Sequence, residues 1–127
     1  LWGGGESLRD FNYVDDVIDA LLLLASSDKS SGEIYNLGCC IGEKGMKNPI
    51  QNNLATIKEL AKLIIEIAGS GKIKEISYPP ERKVIEPGCF CSDISKISQL
   101  GWIPKTSLKE GLKKTIEFYR ANRGDYL

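Results

Sequence analysis

Four cysteines in two close pairs are the residues whose types most directly suggest chemistry. Thiolates can bind Zn²⁺ or take part in thiol–disulfide exchange. The pairs are Cys39-Cys40 and Cys89-Phe90-Cys91, and neither has the spacer of about two to four residues that is typical of zinc ligands. The sequence has no histidine, which excludes mixed Cys/His sites and His-based triads. These patterns favour buried or loop thiols, with a metal-binding or redox protein as the alternative.

Two glycine-rich segments could in principle bind phosphate. The spacing of Gly38, Gly42 and Gly45 is followed by a proline and three asparagines, where a phosphate-binding helix would have to begin. The segment Gly69–Lys72 has Glu66 in place of the required earlier glycine, and Ile73 in place of the hydroxyl residue. Both segments therefore indicate ordinary loops.

Hydrophobic periodicity predicts three main helices to position any site. The first spans Val14–Ala25, with two aspartates in its first turn. The second begins with a capping box at Thr56 and Glu59 and ends at Gly69. The third begins with a capping box at Ser107 and Glu110. Its predicted inward residues are Leu108, Leu112, Ile116 and Tyr119.

Shorter elements connect these helices. Alternation predicts a strand at Glu33–Leu37, and a second strand is predicted at Ile73–Tyr78, ended by two prolines. Glycine, proline and asparagine predict a long loop from Cys39 to Asn53. We expect Glu81–Gly88 to be irregular and Asp93–Leu100 to form a short helix that Gly101 ends.

Composition restricts the class of protein. With 127 residues and 42% hydrophobic content, the chain suits a single domain. Seventeen basic and seventeen acidic residues balance, which argues against binding to nucleic acid or an anionic membrane. The longest apolar run, Ala20–Ala25, is far shorter than the roughly 18 residues of a membrane span. We therefore expect a soluble, cytoplasmic protein, and the start at Leu1 without methionine suggests missing upstream sequence.

Several segments of the sequence resemble, in their order along the chain, motifs of one protein family. They are Leu8-Arg9-Asp10-Phe11-Asn12-Tyr13-Val14-Asp15-Asp16-Val17, Gly32-Glu33-Ile34-Tyr35-Asn36-Leu37-Gly38, Arg82-Lys83-Val84-Ile85-Glu86-Pro87-Gly88, Ser92-Asp93-Ile94-Ser95-Lys96, Leu100-Gly101-Trp102-Ile103-Pro104 and Ser107-Leu108-Lys109-Glu110-Gly111-Leu112. The chain is similar to the carboxyl-terminal portion of the extended short-chain dehydrogenase/reductases, the NAD-dependent nucleotide-sugar epimerases and dehydratases of the UDP-glucose 4-epimerase type. The resemblance covers nearly the whole chain apart from the loop between Cys39 and Asn53.

The resemblance implies a fold and a substrate site. It implies that residues 1–127 are a single α/β, mostly helical, substrate-binding lobe whose NAD-binding Rossmann domain is absent. Arg9 and Arg82 are the residues it assigns to the diphosphate of a UDP- or dTDP-sugar, because a guanidinium can bind a compact double anion with two parallel hydrogen bonds. Arg9 could instead form an ordinary pair with a nearby acid. Where relatives carry an acid after the glycine of this loop, the present chain has Cys89.

Other residues of these segments suit structural roles better. Asp10 can accept hydrogen bonds from loop amides, Tyr13 can pack at the helix entry, and Asp15 favours the positive end of the helix dipole. Trp102 is expected to anchor the last helix by packing.

The family's acid–base pair is a tyrosine followed four residues later by lysine, and no tyrosine here has that partner. The glycine-rich βαβ unit that binds the dinucleotide is also missing from the sequence. We therefore expect NAD to serve the complete enzyme, and this chain alone to bind no cofactor and to be inactive. Its expected partners are a nucleotide sugar and the cofactor domain, with self-association of the isolated lobe. A stand-alone sugar-nucleotide-binding module is the alternative.

Overall fold

A computed structural model of the chain describes residues 1–42 and 53–126. Helices account for most of its regular structure, as the sequence predicts. In chain order, the elements are a 3₁₀ turn at Gly3–Gly5, β1 at Leu8–Asp10, α1 at Val14–Ala25, a 3₁₀ turn at Asp28–Ser30, β2 at Leu54–Thr56, α2 at Ile57–Ala68, α3 at Pro80–Lys83, α4 at Ser95–Ser98, α5 at Leu108–Ala121 and α6 at Arg123–Tyr126. Within these ranges, no helix is long and apolar enough to cross a membrane.

Helix α1 has the predicted bounds, but its periodic apolar face is not the face that is buried. Ala20 is fully buried, whereas four residues at helical spacing are between 47% and 64% exposed. These four residues, which we call the apolar face of α1, are Val14, Ile18, Leu21 and Leu22. The helix therefore presents hydrophobic side chains to its surroundings on the side opposite the core.

The hydrophobic core lies beneath α1. Ala20 packs with Ile94, Ile97 and Trp102, all of which are buried. The indole Nε1 of Trp102 donates to the backbone carbonyl of Asp16 at 2.9 Å, which satisfies its polar atom inside the core. Trp102 is thus a buried packing residue, but the partners that the structure shows for it lie on α1 and around α4, and its predicted role as an anchor of the last helix stays a prediction.

Helices α2 and α5 begin at the predicted caps and pack against one another. At α2 the full capping box forms, since Thr56 Oγ1 accepts from Glu59 N at 3.1 Å and Glu59 Oε2 accepts from Thr56 N at 2.7 Å. Gly69 ends α2 at φ 73°, a left-handed conformation that glycine adopts without steric cost. At α5, Ser107 Oγ accepts from Glu110 N at 3.3 Å, and the reciprocal bond is absent from the described part of the chain.

The one two-stranded sheet in the described ranges was not predicted. Strand β1 pairs antiparallel with β2, with Arg9 opposite Ala55. Each strand has only three residues, too few for an alternating pattern to be recognised. Phe11 N also donates to Asn53 O at 2.8 Å, which extends the contact beyond the ladder.

Both predicted strands are wrong. Residues Glu33–Leu37 pair with no strand among the described residues, and Ile34 is 83% exposed, while Tyr35 and Leu37 pack on the core. The alternation of polar and apolar residues there arises because one side of an extended segment packs on the core, without hydrogen bonds to a partner strand. Of Ile73–Tyr78, only Ile76 forms a bridge, parallel to Trp2.

Four further expectations concern a connecting segment, a short helix, Tyr119 and a long loop. The segment Glu81–Gly88 is not wholly irregular, since α3 reaches Lys83, and the predicted helix at Asp93–Leu100 is confined to α4. Tyr119 is 51% exposed and makes an edge contact with Tyr126, with ring centroids 5.0 Å apart, so it does not face inward. The predicted loop from Cys39 to Asn53 lies mostly outside the described residues.

Candidate functional site

Arg9 on β1 is held by three acceptors. Its Nη1 donates to the carbonyl oxygens of Leu8, at 2.8 Å, and Gly88, and its Nη2 forms an ion pair with Glu86. The guanidinium carbon also lies 4.8 Å from the ring centroid of Phe90. Only 17% of the side chain is exposed, so this cation is fixed in orientation by its partners. The acid pair considered for Arg9 therefore exists, and it involves a residue 77 positions away.

Glu86 is the centre of this network, and the sequence reasoning did not assign it a role. Its Oε1 accepts from Ser7 Oγ at 3.0 Å as well as from Arg9, and its Oε2 accepts from the hydroxyl of Tyr78. Hydrogen bonds from Tyr78, Arg9 and Ser7, in that order, lower the pKa of the Glu86 carboxyl. The bond to Glu86 in turn raises the pKa of Tyr78. Glu86 lies in one of the segments that resemble the family, but its position beside Arg9 results from the tertiary fold.

Arg82 lies near Arg9 without joining the network. It is exposed on α3, and none of the described acids lies within ion-pair distance of it. Arg82 lines a cavity of about 190 Å³, and Arg9 lines a cavity of about 230 Å³. Both cavities are bordered by Trp2, Tyr78 and Glu86, so they adjoin. The structure thus brings the two predicted arginines to one region of the surface.

A separate apolar cavity of about 190 Å³ lies between α2 and α5. No arginine or lysine lines it, and its buried polar residues are Asn53 and Thr106. Asn53 Nδ2 donates to Thr106 O at 2.9 Å, while its Oδ1 has no partner among the described residues. This lining does not suit a diphosphate, which needs cationic donors.

Three of the four cysteines meet in space, which their spacing along the chain did not suggest. Cys40 and Cys91 form a disulfide, and Cys39 Sγ lies 3.8 Å from Cys91 Sγ. Burial, followed by the charge of Asp10, raises the pKa of the Cys39 thiol to about 11. Cys89 is exposed and separate, and its sulfur accepts from Leu8 N at 3.3 Å. We call Cys39, Cys40 and Cys91 the thiol cluster.

The neighbouring acids take structural positions. Asp10 Oδ2 accepts from Ser92 N at 2.9 Å, which is the expected contact with a loop amide. A Cβ at Gly38 would lie 2.2 Å from the same Asp10 oxygen, so no side chain can be accommodated there. Tyr13 is the N-cap residue of α1, and Asp15 is exposed in its first turn. Asp16, the second aspartate expected in the first turn, is instead buried, and its Oδ2 accepts from Thr106 N at 2.9 Å.

Comparisons with known proteins identify the family. The model of the NAD dependent epimerase/dehydratase family matches residues 1–38. The chain is 37% identical to GDP-L-fucose synthase 1 of Arabidopsis thaliana, over 96% of this chain and 33% of that protein. It therefore belongs to the NAD-dependent epimerase/dehydratase family of extended short-chain dehydrogenase/reductases. The chain spans about a third of the length of the curated relatives it matches.

Solved structures show the same similarity. UDP-glucose 4-epimerase of Thermotoga maritima, solved with UDP-glucose, superposes with a TM-score of 0.75 at 35% identity, over 97% of this chain and 35% of that one. UDP-glucuronic acid 4-epimerase of Bacillus cereus, solved with NAD, gives a TM-score of 0.69 at 26% identity, over 96% and 34%. The fold expected from the sequence, a portion of a Rossmann-type enzyme, is confirmed.

The lowered pKa of Glu86 predicts a pH dependence of stability. A carboxyl whose pKa is lowered by folding contributes its full stabilisation above its unfolded pKa of about 4.3, and this contribution is lost as the pH falls through the folded pKa. From about pH 5 downward, the wild-type chain should therefore lose unfolding free energy more steeply than Glu86→Gln. Urea denaturation at pH 7, 5, 4 and 3 measures this difference.

Glu81→Gln is the matched control, because Glu81 is exposed and forms no ion pair with any described residue. It should follow the wild-type pH profile. Identical profiles for wild type and Glu86→Gln would contradict the assignment of the network to Glu86.

Proposed function

We propose that this chain forms the nucleotide-sugar side of the active-site cleft in an NAD-dependent epimerase or dehydratase. The observation that carries the proposal is the convergence of Arg9 and Arg82 on two adjoining cavities. A diphosphate carries two closely spaced negative charges, and two guanidinium groups on one surface provide matching positive charge. The named relatives support this substrate class, since one is an epimerase solved with UDP-glucose.

Arg9 is suited to bind the diphosphate because the protein already holds it in place. Three of its five N–H groups donate to acceptors among the described residues, which leaves two for a ligand. The contacts with Glu86 and Gly88 fix the guanidinium before substrate arrives, which lowers the entropy cost of binding. Glu86 also carries a negative charge that opposes an approaching anion. Arg82, exposed beside it, supplies a second cation that offsets this repulsion.

The described part of this chain has no unit of the kind that binds a dinucleotide. A dinucleotide-binding unit needs parallel strands joined by a helix that begins at a glycine-rich turn. Here β1 and β2 are antiparallel, and β1 leads into α1 through residues 11–13, which contain no glycine. We therefore assign NAD, and the tyrosine–lysine pair that this sequence lacks, to a separate cofactor domain. Residues 1–127 then act as one substrate-binding domain.

The apolar face of α1 is our candidate for the contact with that cofactor domain. Leu21 and Leu22 are 58% and 64% exposed, and together with Val14 and Ile18 they form a continuous stripe along the helix. An exposed stripe of this kind usually marks an interface, because burying it removes apolar surface from water. When the chain is alone in solution, two copies could bury this apolar face against each other by self-association.

Arg9→Ala tests the substrate site in the complete enzyme, meaning this chain joined to its cofactor domain. Loss of the charge-assisted hydrogen bonds should cost about 1.5–3 kcal/mol, or a roughly 10- to 140-fold higher dissociation constant for the nucleotide sugar. Arg9→Lys keeps the charge but loses the fork geometry, so it should give an intermediate loss. Calorimetric titration with UDP-glucose and dTDP-glucose measures the affinity.

Arg123→Ala is the control for this experiment, since Arg123 is exposed on α6 and lines neither cavity. Its affinity should match that of the wild type. The free energy of unfolding is measured in parallel, because Arg9 also links β1 to Glu86. A folded Arg9→Ala enzyme with wild-type affinity would overturn the assignment.

The apolar face predicts concentration-dependent self-association of the 127-residue chain, which sedimentation velocity measures. Leu22→Lys places a charge in the stripe and should shift the chain towards monomer. Val84→Lys is the control, because Val84 is 86% exposed but lies on the segment after α3. A wild-type chain that is monomeric at all concentrations and binds no hydrophobic dye would exclude this role for the face.

A further inference from the structure

We propose that the thiol cluster, once its disulfide is reduced, is a binding site for a soft divalent cation of the Zn²⁺ class. This site is separate from the arginine region, and the proposal does not rest on the proposed function. Its three sulfur ligands come from two segments, residues 39–40 and residue 91, that are more than fifty positions apart in the sequence.

The distances between the sulfurs suit one metal ion. All three Sγ atoms lie within 4.8 Å of one another, and those of Cys39 and Cys91 are 3.8 Å apart. In a tetrahedral zinc site with Zn–S bonds of about 2.3 Å, neighbouring sulfurs are separated by about 3.8 Å. The thiols of Cys39 and Cys91 therefore already have the spacing of two ligands on one ion. Opening the Cys40–Cys91 disulfide allows the third sulfur to move to a similar distance.

The backbone around the cluster is organised before any metal binds. Cys40 forms a parallel bridge with Asp93, in which Ile94 N donates to Cys40 O at 2.9 Å and Cys40 N donates to Ser92 O at 3.4 Å. Asp93 Oδ1 also accepts from Gly42 N at 3.0 Å. These bonds hold the segment of Cys39 and Cys40 against the segment of Cys91, so the ligands do not depend on the disulfide alone for their proximity.

Burial also favours a metal site with one open position. Cys39 and Cys40 are 0% and 1% exposed, whereas Cys91 is only partly buried. Water is therefore excluded from two ligands, while the side of Cys91 gives an ion access. Three protein ligands and one open position describe a site that a fourth, exchangeable ligand would complete.

Reduction and metal binding are two balanced steps. A dithiol reductant transfers two electrons and two protons to the Cys40–Cys91 disulfide, which gives two thiols, and the reductant itself becomes a disulfide. Zn²⁺ then displaces the thiol protons of the three cysteines to solvent as the Zn–S bonds form. The oxidised cluster lacks two of its three ligands and should not bind the ion. Metal binding at this site is thus controlled by the redox state.

The test uses the full 127-residue chain, reduced anaerobically with a trialkylphosphine, which becomes the phosphine oxide by taking oxygen from water. After gel filtration with Zn²⁺, elemental analysis should find about one zinc per reduced chain and none in the oxidised chain. X-ray absorption should give Zn–S distances of about 2.3 Å. Alkylation mapped by mass spectrometry should show that zinc protects Cys91, the partly exposed member of the cluster, but leaves Cys89 reactive.

Two serine variants separate the cluster from the other cysteine. Loss of an outer-shell partner alone changes metal affinity by about 10- to 100-fold, so Cys91→Ser, which removes a ligand, should weaken zinc binding by at least about 100-fold. Cys89→Ser should bind zinc like the wild type, because Cys89 is exposed outside the cluster. The alkylation map uses wild-type protein, so it does not depend on how well Cys91→Ser folds. A reduced, folded chain that binds no zinc, or zinc that protects Cys89 equally, would overturn the proposal.

Discussion

The contact between β1 and the segment of residues 86–92 is the constraint on which the rest of the structure depends. Arg9 reaches Glu86 and the carbonyl of Gly88, and Phe90 N donates back to Leu8 O at 3.2 Å. A largely buried guanidinium must keep its acceptors, because an unpaired buried cation is costly. This requirement fixes the segment against the strand and, with it, the borders of both cavities near Arg9 and Arg82.

The same contact brings the cysteines together. Two residues beyond Phe90, the amide of Ser92 donates to Asp10, the neighbour of Arg9 on β1. Gly38 lies so close to this carboxylate that only a residue without a side chain fits, which places Cys39 and Cys40 directly beside Cys91. Strand β1 therefore organises both sites through two successive residues. Arg9 belongs to the candidate substrate site, and Asp10 holds the segments of the thiol cluster together.

The sequence predicts the long helices well, because their signals are local. The periodicity of α1 and the capping box of α2 involve residues three or four positions apart, and both helices begin and end where expected. The prediction of strands fails for the converse reason. A ladder at Glu33–Leu37 would need a partner strand, and alternation over five residues cannot supply one. The direction in which α1 turns its apolar side is likewise decided by packing partners.

The candidate site was likewise predictable only in part. The resemblance to the epimerases and dehydratases identified Arg9 and Arg82, which line adjoining cavities in the structure, and their role in binding stays a prediction. No spacing rule connects Arg9 to Glu86 or Cys40 to Cys91, since these pairs meet only through tertiary contacts. The spacing rule for zinc ligands asks for about two to four residues between the cysteines of each pair, and neither pair here has that spacer, so the rule gave no sign that Cys39, Cys40 and Cys91 meet.

The central claim is that this chain carries the nucleotide-sugar half of the cleft and not the cofactor half. Calorimetric titration of the chain with UDP-glucose and with NAD tests it most directly. At an ionic strength near 0.01 M the Debye length is about 30 Å, so salt does not screen away a weak contact between a guanidinium and a phosphate. The account predicts weak binding of UDP-glucose that is lost in Arg9→Ala, and no binding of NAD. Binding of NAD to the wild-type chain, or UDP-glucose binding that is unchanged in Arg9→Ala, would contradict it.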